Sequence, residues 1–141
     1  MRPRVLVADD HPGMAKAVCR LLSVDCEVVG SVADGSALLE AAERLQPDVV
    51  VLDVNLPNIH GLEACRQITQ LYPEIKVIVF TAMNDPEVRQ RSFAVGASAF
   101  ICKLDLVDDL LSAVTRLSVA RVDSVERVDL EGDGSPVPAR E

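Results

Sequence analysis

Five short apolar runs punctuate the chain, at Val5–Ala8, Cys26–Val32, Val49–Leu52, Ile75–Phe80 and Ala97–Ile101. The segments VVVL and VIVF are unbroken and rich in β-branched residues. Such runs suit central parallel strands covered on both faces. CEVVGSV and ASAFI are less uniformly apolar and suit edge strands. Between the runs lie amphipathic patterns with readable ends. The first helix follows Asp10-His11-Pro12, with proline in its first turn, and presents Met14, Val18, Leu21 and Leu22. The second starts near Asp34, shows Leu38, Ala42 and Leu45, and stops before Pro47. The third starts near Gly61 and carries Leu62, Cys65, Ile68 and Tyr72 on one side. The fourth opens with Asp85-Pro86 and ends at Gly96. The fifth shows Val107, Leu110, Leu111, Val114 and Leu117.

This alternation predicts an α/β fold of the (βα)5 type, a doubly wound parallel sheet with right-handed crossovers and helices on both faces. The commonest order for five such strands is 2-1-3-4-5. The repeating pattern fills residues 1–117, read as one domain, and residues 118–141 as an acidic C-terminal extension. In the extension Val119, Val122, Val125 and Val128 recur every third residue, which would lengthen the last helix by two or three turns. A frayed helix end followed by a solvated tail is the preferred reading, with no fixed structure expected beyond Gly132.

Charge narrows the functions. The chain has 141 residues and a formal charge of −8, from 14 basic and 22 acidic side chains. No basic stripe marks a nucleic-acid footprint, so no nucleic acid is expected to bind this chain alone. The apolar stretch in MRPRVLVADD is too short for a signal peptide, and no run is long enough to cross a bilayer. Cys19, Cys26, Cys65 and Cys102 show no metal-ligand spacing and read as small core hydrophobes in a reducing cytoplasm.

The polar residues become informative through their place on the strands. Asp9 and Asp10 close strand 1, Asp53 closes strand 3, Thr81 closes strand 4, and Lys103 follows strand 5. In a parallel sheet these ends share one edge, and strands 1 and 3 flank the topological switch point where such sheets form a crevice. Three carboxylates gathered there repel one another, so one takes a proton or a cation binds. An all-oxygen cluster open to water favours a hard ion, and Mg2+ is the natural one. An entering phosphoryl group would meet the metal, the Lys103 ammonium and the Thr81 hydroxyl, which together provide charge neutralisation and in-line positioning. Asp53 is the best candidate nucleophile, because it stands alone at its strand end while Asp9 and Asp10 are paired.

ADDHP after strand 1, VLDVNLPNIHGLE at strand 3, FTA after strand 4 and the lysine of GASAFICK resemble the receiver domains of two-component response regulators. The likeness runs from about Arg4 to Leu117, and the Asp-Asp-His-Pro string points to the NarL/FixJ (LuxR-type) subfamily. The resemblance implies a flavodoxin-like fold and assigns roles. Asp53 would accept the phosphoryl group from a sensor histidine kinase. Asp10, Asp53 and the backbone carbonyl of Asn55 would bind Mg2+ directly, with Asp9 acting through metal-bound water. Thr81 and Lys103 would hold phosphoryl oxygens. Ala82 would leave the acceptor accessible, Asn55 and Met83 would tune the lifetime of the phosphoryl group, and Phe100 would be the aromatic partner of Thr81 in the switch.

The expected output is a change in the surface of helix 4, strand 5 and helix 5, read by a partner or by homodimerisation there or through helix 5. Within that surface Val88, Val95, Leu106 and Leu110 have core packing as their plainest role. The chain is then a regulatory phosphoacceptor in phosphorelay control of transcription, with self-phosphorylation and self-dephosphorylation as its only chemistry. A phosphate-independent interaction module on the same fold is the alternative. A phosphatase of the haloacid dehalogenase type is disfavoured, because Asp53-Val54-Asn55 places Asn where a second Asp must move a proton. A flavin or nucleotide site lacks its Gly-rich loop after strand 1.

Three departures from the family pattern stand out. His60, where Asp is common, reads as neutral surface variation; His11 belongs to the Asp-Asp-His-Pro string itself and reads as loop packing. Leu104 follows Lys103 where many relatives have a cis proline; a cis bond before leucine would cost about 2.5–4 kcal/mol. After Leu117 no helix-turn-helix output domain fits in the 24 residues that remain.

Overall fold

The computed structural model describes residues 2–82, 85–103, 113–117 and 128–129. Its elements alternate as expected: β1 (Arg4–Ala8), α1 (Pro12–Leu22), β2 (Glu27–Val32), α2 (Gly35–Leu45), β3 (Val49–Leu52), α3 (Gly61–Leu71), β4 (Lys76–Thr81), α4 (Pro86–Ala94) and β5 (Ala99–Cys102). Residues 113–117 are helical and fall on the expected fifth helix, with Val114 and Leu117 buried. Leu104, Leu106, Val107, Leu110 and Leu111 lie outside the described residues.

Local chemistry sets the helix ends. Asp34 accepts the Ala37 N–H at 2.7 Å and Asp85 the Glu87 N–H at 2.9 Å, so each carboxylate satisfies a donor that the first turn leaves unpaired. Pro12 and Pro86 occupy first-turn positions, where no N–H is needed. α2 stops at Gln46, whose φ of 47° is left-handed, and the Arg4 guanidinium donates to the Leu45 and Gln46 carbonyls, 2.8 Å from each.

All strand pairs are parallel, and the five main strands take the order 2-1-3-4-5. Alternate side chains point to opposite faces. Leu6, Val50, Leu52, Val77, Val79 and Phe100 pack with Leu38, Ala42, Cys65 and Ile68 beneath α2 and α3. Val5, Val7, Val49, Val51, Ile78 and Ile101 pack with Val18, Leu22, Val114 and Leu117 on the other face. β3 and β4 are buried along their whole length, as unbroken apolar runs require.

The expectation of an edge strand at ASAFI needs correction. β5 is buried throughout, and a two-residue strand, β6 (Val128–Asp129), pairs with it in parallel, Val128 opposite Ala99 and Asp129 opposite Phe100. A strand edge offers unpaired backbone donors and acceptors, and β-branched Val128 suits a pairing segment. Val128 is thus in a strand rather than in a continuation of the fifth helix. Val119, Val122, Val125 and residues 130–141 lie outside the described residues.

Candidate functional site at the carboxyl edge of the sheet

The parallel register places the polar residues. Ala8 lies opposite Leu52 across the β1–β3 pair, so Asp9 and Asp53 leave adjacent strands at the same level. The Asp53 N–H donates to the Ala8 carbonyl at 3.0 Å, which carries the pairing one step beyond the strands. On the other side Thr81 ends β4 opposite Cys102, and the Lys103 N–H donates to the Thr81 carbonyl at 2.6 Å.

Each carboxylate is oriented by its own loop. The His11 N–H donates to Asp9 Oδ1 at 2.9 Å and the Asn55 N–H to Asp53 Oδ1 at 3.0 Å. The remaining oxygens face one another across a single cation. Lys103 Nζ lies 2.6 Å from Asp9 Oδ2 and 2.7 Å from Asp53 Oδ2. All three side chains are at most 7 % exposed. Burial works against the Lys103 ammonium, but hydrogen bonds to Asp53 and Asp9, and then their charges, outweigh it, and the pKa rises above the ordinary lysine value. Two buried carboxylates against one ammonium leave an excess negative charge.

Thr81 and Phe100 are fully buried, and Ala82 beside Thr81 is exposed. Phe100 already packs inside the α2–α3 core. Asn55 is exposed next to Asp53. Asp10 differs from its neighbour: its side chain is 38 % exposed and approaches His11 Nδ1 at 3.3 Å. The group close enough to share one ion, with ligand atoms within 4.8 Å of one another, consists of Asp9, Asp53 and His11 among the described residues. Met83 lies outside the described residues.

Two supports of the site carry little signal in composition. His60, exposed at the surface, is the N-cap of α3, its Nδ1 accepting the Leu62 N–H at 3.2 Å. Gly61 begins that helix directly against the acceptor loop, where a Cβ would stand 2.4 Å from the Asp53 carbonyl oxygen and 2.6 Å from Val54 Cα. A glycine just before the apolar pattern of α3 is the one sequence cue to this close approach.

α4 packs lightly. Ser92 is its one buried residue, while Val88 and Phe93, with Val95 just beyond the helix, are half-buried against the core. No described helix is long and apolar enough to cross a membrane.

Comparison with known proteins agrees with this geometry. The chain is 34 % identical over 113 residues to the transcriptional regulatory protein DegU of Brevibacillus brevis, covering 79 % of this chain and 48 % of that protein. It is 33 % identical over 112 residues to the nitrate/nitrite response regulator NarL of Escherichia coli K12, covering 78 % of this chain and 52 % of NarL. The chain thus spans about half the length of the curated relatives it matches. The signal receiver domain of the response regulator NarL from Mycobacterium tuberculosis superposes with a TM-score of 0.79 at 29 % identity, covering 84 % of this chain and 97 % of that one. Residues 5–115 match the response regulator receiver domain, with relatives of the LuxR/NarL type, and the chain belongs to that family.

Proposed function

We propose that this chain is a phosphorylation-dependent switch of a two-component system, accepting a phosphoryl group on Asp53 from a sensor histidine kinase. The observation that carries the reading is the convergence of Asp9, Asp53 and Lys103 within hydrogen-bonding distance, beside Thr81, at one edge of the sheet. Structural neighbours include a BeF3-activated receiver domain, that of DrrB, at 33 % identity.

The donor set fits a hard divalent ion, since two buried carboxylates share a single ammonium and retain excess negative charge. Asp9, Asp10, Asp53 and the Asn55 carbonyl would hold Mg2+, which when bound supplies charge neutralisation for phosphoryl transfer. The chain's own groups do the rest. An Asp53 oxygen attacks phosphorus, the bond to the donor breaks, and the electron pair leaves with the donor. Lys103 moves from the carboxylate pair toward a phosphoryl oxygen, and the Thr81 hydroxyl donates to another. Exposed Ala82 leaves the approach open, and Asn55 and Met83 tune how long the acyl phosphate persists.

The switch then involves Thr81, Phe100 and α4. Displacement of Thr81 alters the packing around Phe100, and lightly packed α4 shifts with it. A partner, or a second copy of the chain, reads the surface of α4, β5 and the fifth helix. On this reading the protein acts in the cytoplasm, a reducing compartment compatible with four free cysteines.

Phosphotransfer is the test. Incubation with a small acyl phosphate and Mg2+ should label wild type, and labelling should vanish in Asp53→Asn and without Mg2+. Absence of label on wild type, under conditions that label another receiver, would overturn the switch and leave a phosphate-independent interaction module.

A further inference from the structure

The two histidines each occupy the N-cap of a helix, and they use their rings differently. His60 Nδ1 accepts a backbone N–H of α3, as an N-cap side chain commonly does. His11 makes no such bond to α1. Its Nδ1 turns back toward the acidic pocket, 3.3 Å from Asp10 Oδ1 and 3.6 Å from Asp9 Oδ1. Helix capping therefore does not explain where the ring points.

The spacing matches shared coordination. Donor atoms held about 2.1 Å from one ion lie about 3–4 Å apart. The His11 nitrogen and one carboxylate oxygen from each of Asp9 and Asp53 fall within 4.8 Å of one another, close to that spacing before any side chain moves. The His11 ring is 75 % exposed, so it is free to adjust, while the two carboxylates are buried and fixed by backbone donors. The oxygens that accept those donors keep a second lone pair for a ligand.

We infer that His11 is a further protein ligand of the metal that this pocket binds, joining Asp9 and Asp53, and that it tilts the site from Mg2+ toward a nitrogen-preferring first-row ion such as Co2+, Ni2+ or Zn2+. Mg2+ takes oxygen almost exclusively and gains little from an imidazole, whereas those ions bind imidazole well. The inference rests on the proposed reading of Asp9 and Asp53 as a metal site, and adds a nitrogen donor that strengthens binding of those ions relative to Mg2+.

Calorimetric titration of the full chain with Mg2+ and with Co2+, in wild type, His11→Ala, His60→Asn and Asp53→Asn, tests both layers. The visible spectrum of the Co2+ form reports nitrogen ligation independently of phosphorylation. Expected for His11→Ala is a loss of Co2+ affinity of about tenfold or more, an altered Co2+ spectrum, and Mg2+ affinity within about twofold of wild type. His60→Asn, which removes the imidazole but keeps an N-cap acceptor on α3, should leave both affinities unchanged, and Asp53→Asn should weaken both. An unchanged Co2+ to Mg2+ ratio and spectrum in His11→Ala, with Asp53→Asn still weakened, would overturn the His11 assignment and keep the acidic site. If Co2+ affinity falls in His60→Asn and not in His11→Ala, the nitrogen ligand is elsewhere and the assignment is wrong. Failure of wild type to bind either ion would overturn both.

Discussion

Lys103 and Asp53, fifty residues apart in sequence, meet at 2.7 Å in a place where each side chain is at most 7 % exposed. Asp9 completes the contact from the other side at 2.6 Å. The ammonium sits between the two buried carboxylates and donates to both. Removing one member of a buried, hydrogen-bonded charge group leaves the others uncompensated, at a cost of about 3–5 kcal/mol.

Lys103→Met should therefore lower stability at pH 7 by about 3–5 kcal/mol, read as a reduced urea midpoint at constant slope. The pH dependence has a defined sign. The folded pKa of Lys103 lies above its ordinary 10.5, so its contribution is fully present below that value and is lost as pH rises through the folded pKa. The gap between wild type and Lys103→Met should thus be flat across neutral pH and narrow in strong alkali. Adding Asp53→Asn to Lys103→Met should restore part of the loss, with a coupling of about 0.5–3 kcal/mol. Equal stability of Lys103→Met and wild type at pH 7 would show that the ammonium does not compensate the pair.

Gly61 and Gly13 make a matched test of the acceptor loop. A methyl at Gly61 meets the backbone of Asp53 and Val54, which cannot swing aside. A methyl at Gly13, in the first turn of α1, meets nothing within 4 Å. Gly61→Ala should cost about 1–3 kcal/mol and slow labelling of Asp53, because relief requires the loop to move. Gly13→Ala should be neutral or stabilise by up to about 1 kcal/mol, through reduced freedom of the unfolded chain. Equal effects at the two positions would mean that the approach of α3 to Asp53 is not tight.

These residues also mark where sequence reading succeeds and where it stops. VVVL and VIVF could be placed as central strands because continuous β-branched runs have few alternatives, and strict alternation with helices then forces their ends to one edge. Asp9, Asp53, Thr81 and Lys103 follow from that edge alone. Periodicity does not encode the rest. Nothing in a pattern of side chains reveals that Lys103 bridges both carboxylates, or that Asp10 stays at the rim while Asp9 is buried. The pairing of Val128 with β5 was hidden because a valine every third residue fits a helix as readily as a short strand. His11 and His60 look alike in the sequence, each preceding a helix, and they diverge through contacts made only in the folded chain.

The cysteines offer a probe that is independent of the phosphoryl site. Cys65 is fully buried on the sheet-facing side of α3, and burial pushes its thiol from an ordinary 9.0 up to about 12. Cys26 is raised too, by burial and then by Asp25, with Arg2 opposing. Cys19 is only half-buried. Because the thiolate is the reactive form, native protein at pH 8 should be alkylated by iodoacetamide at Cys19 first, and at Cys65 only as fast as the chain unfolds. Mass spectrometry of peptides over time gives the order directly. The raised pKa also fixes a stability trend. Below pH 9 the Cys65 thiol is neutral in both states; above it the unfolded chain ionises first, so stability falls as pH climbs from 9 toward 12, with about 4 kcal/mol as the ceiling set by the full shift. Cys65→Ala should lose some packing energy at neutral pH but show a flatter alkaline limb than wild type. If Cys65 reacts as quickly as Cys19 in the native protein, the face of the sheet beneath α3 opens far more readily than its burial implies.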